Sequence, residues 1–212
     1  MTKIRSILIL MVLLIGGALF GASLEDFYAT IYGTDTSMSV EDSFTAFIRE
    51  IQTVNDIDNA VQLWSSYDPE SCRAHLGKLY NREPGNLNIA VAWILAEQDF
   101  GKAIRGAKKL IMVNRNEPSA YQPMVMRYVL EMPDSVGTEE WTAFQNNLIK
   151  DSAYLSRFYE LDKDNEFAVI GKLISAMALR DLEAGKRVMD QTIENPVSIA
   201  PRMNLAGFAY DP

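Results

Sequence analysis

Apolar residues recur along most of the chain at the three- and four-residue spacing of amphipathic α-helices. Behind Ser39, for example, Phe44, Phe47, Ile48 and Ile51 share one face of a helix predicted over 40–53. The same spacing predicts a second helix around Ile57–Trp64 and further helices over 69–80, 87–97, 100–113, 119–131, 139–160, 166–179 and 182–194. The helix at 139–160 either runs through or breaks near Asp151. No segment alternates as a strand does, so the predicted fold class is all-α, with about nine or ten helices.

The distribution of apolar residues within two neighbouring helices predicts which of them is buried. The helix at 87–97 is apolar nearly all round and must be covered on most sides, whereas that at 100–113 has a single apolar stripe. The first is therefore the inner helix and the second the outer one. Periodicity extends the expected core to Trp93, Phe100, Leu110, Phe144, Phe158, Leu173 and Met189.

Helix start signals support these boundaries. Ser39, Asp68 and Thr138 each precede a predicted helix with an oxygen that can accept from its free amides, and Asp164 or Asn165 does so before 166–179. Residues 24–38 mix aromatic residues with turn formers and are interpreted as an irregular or partly helical lead-in.

The N-terminus has the pattern of a secretory signal. Lys3 and Arg5 precede an apolar run from Ile7 to Phe20, and small residues follow it. The run has 14 residues, short for a bilayer span of about 20. We therefore expect residues 1–23 to be a signal peptide cleaved near Ala22 or Ser23, and the protein to be periplasmic or extracellular. The alternative is an uncleaved anchor, which would be the protein's one attachment to a membrane.

The negative net charge argues against anionic partners. Removing residues 1–23 takes away two positive charges, so the net charge changes from −8 to about 18 − 28 = −10. Phosphate contact needs clustered Lys and Arg, so neither nucleic acid nor an anionic lipid surface is an expected partner. The chain has a single cysteine, Cys72, and an exported chain with one cysteine has no internal disulfide.

A pattern of 34 residues repeats within the predicted helices. Three sets share the spacing 4, 3 and 5 and read small, large, medium, proline: Cys72, Leu76, Leu79 and Pro84; Gly106, Leu110, Val113 and Pro118; Ala184, Val188, Gln191 and Pro196. A small residue lets the neighbouring helix approach, a large one fills the groove beside it, and proline ends the hairpin. The polar Gln191 departs from this pattern.

These sets resemble the second helix of the tetratricopeptide repeat. The segments 98–104 and 180–184 are similar to that family's inter-helix turn, and 204–210 to the start of a further first helix. Asn59 and Gly171 depart from the resemblance, since they stand where the family has a large apolar residue. So does the segment 118–164, which has about 46 residues instead of 34.

The resemblance implies a divergent, right-handed array of antiparallel helix pairs, an α-solenoid, with 39–212 as one repeat domain. Its concave face would present Asn88, Ala92 and Leu95 to a protein or peptide, because the equivalent first-helix positions do so in the family. The array would need polar caps at its ends.

Candidate chemistry is sparse. Cys72 and His75 lie one helical turn apart, but Cys72 occupies the small-residue position of the repeat, which predicts a buried, inert thiol. Asp162–Glu166 has the composition of a calcium loop without its glycine and final glutamate, and is interpreted as a turn. No catalytic residue, cofactor site or metal site is predicted.

The function predicted from the sequence is a non-enzymatic, exported scaffold that binds another protein. The alternative is an amino-terminal helical domain of, or a partner to, an exported enzyme such as a thioredoxin-like oxidoreductase whose catalytic domain lies elsewhere. A hydrolase on helical pairs is a third reading for which no residues can be named. The apolar segment from Ile199 to Tyr210 is a further predicted interface, through Phe208 and Tyr210, and would mediate any homo-oligomer.

Overall fold

The computed structural model describes residues 23–50, 52–135 and 137–194, and in these ranges the chain forms ten α-helices, one short 3-10 helix and no strand. The predicted all-α class is confirmed. The helices are α1 Leu24–Ile31, α2 Val40–Arg49, α3 Val54–Tyr67, α4 Pro69–Arg82, α5 Leu87–Ala96, α6 Phe100–Val113, α7 Gln122–Leu130, α8 Glu139–Leu161, α9 Glu166–Leu179 and α10 Leu182–Glu194, with the 3-10 helix at Pro118–Ala120.

The predicted capping residues are confirmed, whereas the helix predicted over 119–131 begins at Gln122, after the 3-10 helix. The side chains of Ser39, Asp68 and Thr138 accept hydrogen bonds from backbone amides three residues on. At α9 the cap is Asn165, whose side-chain oxygen accepts from the two amides of Phe167 and Ala168. Helix α8 runs without a break past Asp151, so the continuous alternative is correct.

The lead-in at 24–38 contains a helix of its own. Ser23 and Asp26 form a reciprocal capping box at its start: the Ser23 hydroxyl accepts from the Asp26 amide at 3.1 Å, and an Asp26 carboxylate oxygen accepts from the Ser23 amide at 2.9 Å. The hydrogen bond from the Ser23 backbone is the largest cause that lowers the pKa of Asp26. Phe27 of α1 is fully buried, so this helix belongs to the packed part of the chain.

The described chain divides into two compact units, one ending at Ala96 and the other beginning at Glu97. The sequence predicted one repeat domain over 39–212, and the division falls inside it. The division also falls between α5 and α6. The set that ends at Pro118 would place these two helices in one pair. The solenoid arrangement therefore stays a prediction.

An aromatic cluster forms the centre of the first unit. Phe27 of α1, Phe44 and Phe47 of α2 and Trp64 of α3 contact one another with ring centroids 5.0–6.3 Å apart. Helix α5 packs against α3 and α4. Its buried residues lie on several sides, as predicted for an inner helix: Ile89, Ala90, Val91, Ala92, Ile94 and Leu95.

In the second unit, the long helix α8 packs against α9, which also contacts α7 and α10. Gly171 of α9 explains one departure from the repeat pattern. A Cβ atom there would lie 2.8 Å from Cγ2 of Val125 in α7, so the close approach of these helices excludes a side chain.

The core list is confirmed in part. Leu110, Phe144 and Phe158 are buried, whereas Phe100, Leu173 and Met189 are only partly buried. Trp93 was expected in the core and is also only partly buried, because its ring lies stacked on Tyr80 with centroids 4.4 Å apart instead of inside the helix contact. The fully buried tryptophan is Trp64, at 1% exposure.

Candidate functional site

An apolar groove opens in the second unit, between the first half of α8 and the last half of α9. It is a shallow depression lined by Met132, Trp141, Phe144, Gln145, Leu148, Ile174, Met177 and Ala178. The one polar side chain among these, Gln145, donates from Nε2 to the backbone oxygen of Ala178 at 3.1 Å. Its amide group is thereby engaged within the protein, and the groove presents mainly carbon.

Exposed apolar residues include one of the groove lining and two that follow it in sequence. Met177 is 46% exposed, and Leu179 and Leu182, which follow it along the chain, are 50% and 81% exposed. The rings of Trp141 and Phe144 lie 5.8 Å apart on the α8 side. Apolar side chains concentrated in this way mark a surface suited to contact with another molecule.

A buried polar cluster fixes the helix that carries one wall of the groove. Asp151 of α8 is buried, accepts a hydrogen bond from the Tyr128 hydroxyl at 2.8 Å, and lies 2.5 Å from the Lys108 ammonium. These groups come from α6, α7 and α8, so the carboxylate ties three helices together. Burial, followed by the Asp151 charge, raises the pKa of Tyr128 far above its usual range, so Tyr128 is a neutral donor.

Tyr128 also connects this cluster to the groove. Its ring meets that of Phe144, a groove residue, edge to face with centroids 5.8 Å apart. Phe144 thus lies between the polar cluster and the groove.

His75, in the first unit, is engaged in a structural contact. The Thr45 hydroxyl donates to the backbone oxygen of Glu41 at 2.7 Å and lies 2.8 Å from Nε2 of His75. Because the hydroxyl has one proton, it must accept from His75, whose Nε2 is then protonated. An imidazole in this arrangement does not act as a base towards Thr45.

Cys72 is fully buried, as predicted. The Ser65 hydroxyl lies 3.5 Å from its sulfur as a donor, and burial raises the pKa of the thiol. A raised pKa keeps the sulfur protonated and unreactive at neutral pH.

Of the residues predicted for the concave face, Ala92 and Leu95 lie in the interior of the first unit and Asn88 is partly buried. Ala92 is fully buried, Leu95 is 8% exposed, and the Asn88 amide donates to the backbone oxygens of Ile48 and Glu50 at 3.0 and 2.8 Å. Asn88 thereby satisfies carbonyls at the end of α2. Their binding role stays a prediction that this burial does not support. Phe208 and Tyr210 lie outside the described residues.

Within the described ranges, no cluster of three or more potential metal-ligating side chains occurs. The segment 162–166 forms the predicted turn, with Asn165 as its capping residue. No helix in the described part of the chain is both long and apolar enough to span a bilayer.

No known protein family, curated protein or solved structure matches this chain. The groove and its surroundings are therefore the basis for a proposed function.

Sequence periodicity placed Trp141, Phe144 and Met177 on helices but did not find the groove they form. Period and capping define the face of each helix separately. Which faces meet depends on contacts between α8 and α9. Met132, which lies in a loop, adds to the groove lining.

Proposed function

We propose that this chain is an exported, non-enzymatic protein that binds another protein through the groove between α8 and α9. The observation that carries the proposal is an apolar groove whose lining includes the exposed Met177, with the exposed Leu179 and Leu182 following it along the chain. Exposed apolar residues around a concave surface favour contact with a partner over contact with water.

Binding is favoured over catalysis by the state of the two candidate chemical groups. His75 donates to Thr45, and the Cys72 thiol is buried with a raised pKa. Neither is arranged as a base or a nucleophile. An associated enzyme, as in the alternative drawn from the sequence, would be one possible protein bound by the groove.

Export is proposed from the signal pattern together with the capping box at Ser23. A chain that keeps this cap begins no later than Ser23, so we place signal cleavage between Ala22 and Ser23. Cleavage one residue later would remove the cap, a loss of about 0.5–2 kcal/mol.

The test of binding is affinity capture from an envelope extract with the chain from Ser23 onwards as bait. Three baits are compared: the unaltered chain, Met177→Asp in the groove, and Met112→Asp as a matched control. Met112 is a methionine of the same unit, 60% exposed and not part of the groove lining. We expect one protein to be retained by the unaltered chain and the control and lost with Met177→Asp. Equal retention by all three baits would show that the groove is not the binding site.

A further inference from the structure

We infer that the partner segment is a cationic amphipathic helix whose apolar face enters the groove and whose Lys or Arg residues meet its acidic border. This inference rests on the proposed function and specifies the class of partner. It is carried by the distribution of charge around the groove.

Acidic residues flank the groove lining in sequence. Between residues 131 and 141, which include Met132 and Trp141, there are four acidic residues and no basic one, whereas between 177 and 187 the two acidic residues are balanced by three basic ones. The acidic residues of the first segment are Glu131, Asp134, Glu139 and Glu140, and all four are exposed.

Little of this charge is neutralised locally. Glu131 pairs with Arg127 at 2.9 Å. Among the described residues, no ion pair is formed by Asp134, Glu139 or Glu140. An excess of negative charge therefore borders an apolar surface, and complementary charge would orient and accelerate the approach of a cationic partner.

The groove lining suits a helix. Met132 and Met177 are flexible side chains that adapt to the shape of an anchor residue, and Trp141 and Phe144 provide an aromatic wall. An amphipathic helix places apolar anchors at three- and four-residue intervals into such a groove and keeps its other face in water. In the described part of the chain there is no strand, and hence no sheet edge to pair with an extended peptide.

Two other occupants fit the charge less well. A second copy of the chain would bring the same acidic border into a symmetric contact, so like charges would face each other. Residues 195–212 of the same chain contain one basic residue, Arg202, and one acidic residue, Asp211, and so offer no net positive charge.

Isothermal titration calorimetry with two synthetic helical peptides tests the inference. One peptide has leucines on one face and lysines elsewhere, and the other has glutamate in place of every lysine. We expect the lysine peptide alone to bind the chain from Ser23 onwards, with an affinity that falls as salt is raised. Met177→Asp should abolish binding, and Met112→Asp should leave it unchanged.

A paired charge variant isolates the acidic border. Glu139→Gln with Glu140→Gln removes two charges at the start of α8, and we expect binding to weaken about three- to tenfold. The matched control, Glu25→Gln with Glu70→Gln, makes the same change in the first turns of α1 and α4 and should have no effect.

The outcomes separate the class of partner from the function. If Met177→Asp loses a captured protein while neither peptide binds, or both bind equally, the inference is wrong and the proposed function stands. Lysine-peptide binding that survives Met177→Asp would reveal non-specific charge attraction and would overturn the inference. Peptide binding that requires removal of residues 195–212 would also overturn the inference, because it assigns the groove to the chain's own terminus. A dimer that Met177→Asp dissociates would overturn it as well, because it assigns the groove to a second copy.

Discussion

At the scale of single residues, Trp64 of the first unit contacts both apolar aromatic rings and a histidine. Its ring contacts Phe27 and Phe44 on one side of the cluster and lies 5.5 Å from the His75 ring. It joins the apolar core to the partly buried polar contact between His75 and Thr45. Substitution of Trp64 therefore tests the apolar core, and substitution of His75 tests the neighbouring polar contact.

Trp64→Ala should lower the free energy of unfolding by about 3–5 kcal/mol, the range for truncation of a buried aromatic ring. Trp93→Ala should lower it by less, about 1–2 kcal/mol, because Trp93 is partly exposed and loses mainly its stacking on Tyr80. Urea unfolding followed by circular dichroism compares the two. An equal or larger loss for Trp93→Ala would contradict the burial of the two rings.

His75 should make stability depend on pH below neutrality. Burial is the largest cause that lowers its pKa from 6.5; Arg82 and Lys78 act in the same direction, and Glu41 and Asp42 oppose them. The unfolded chain thus binds the proton more readily, so this contribution to stability is full above about pH 6.5 and is lost as the pH falls from there through the folded-state pKa.

The measurement is the free energy of unfolding at pH 7.5 and pH 5.5 for the unaltered chain and for His75→Gln. We expect the unaltered chain to lose more stability over this interval. Parallel losses in the two proteins would show that His75 is equally solvated when folded and unfolded.

At the scale of elements, the helices were largely predictable because their determinants are local. Ser39, Asp68 and Thr138 cap the helices they precede, and the ends of α6, α9 and α10 agree with the apolar period. Departures occur where a helix meets a neighbour. Trp93 stacks on Tyr80 of another helix, and the groove forms only where α8 and α9 meet. Neither feature produces a periodic pattern within a single segment of the sequence.

Gly171 provides a test of one such contact. Gly171→Ala should destabilise the protein, because overpacking against Val125 costs about 1–3 kcal/mol and outweighs the helix propensity gained. Gly77→Ala is the matched control: it lies within α4 with no atom within 4 Å of the added Cβ, and should gain up to about 1 kcal/mol. The measurement is the thermal unfolding of the two variants. A stabilised Gly171→Ala would mean that α7 and α9 are less tightly packed than described.

At the scale of the whole molecule, the proposed signal cleavage and the start of the first helix meet at Ser23. We expect N-terminal sequencing of protein recovered from the cell envelope or medium to begin at Ser23, since this keeps the Ser23 hydroxyl of the α1 cap and leaves its nitrogen as an ammonium group that can still donate to Asp26. The control is Ser23→Ala, which should be exported but less stable by about 0.5–2 kcal/mol. Recovery of a chain that still begins at Met1 would favour the uncleaved anchor.

The boundary at Ala96 also bears on the order in which the protein folds during synthesis. The contacts that hold the first unit together are between residues of that unit, such as Thr45 with His75 and Asn88 with Ile48. Small helical domains fold on the order of microseconds to milliseconds. A ribosome adding about 5–20 residues per second needs about 5–20 s for the 98 residues from Glu97 to Glu194. The aromatic cluster around Trp64 can thus be complete while the groove has yet to be translated, and a chaperone that keeps the chain unfolded for export would have to act on the first unit before the second exists.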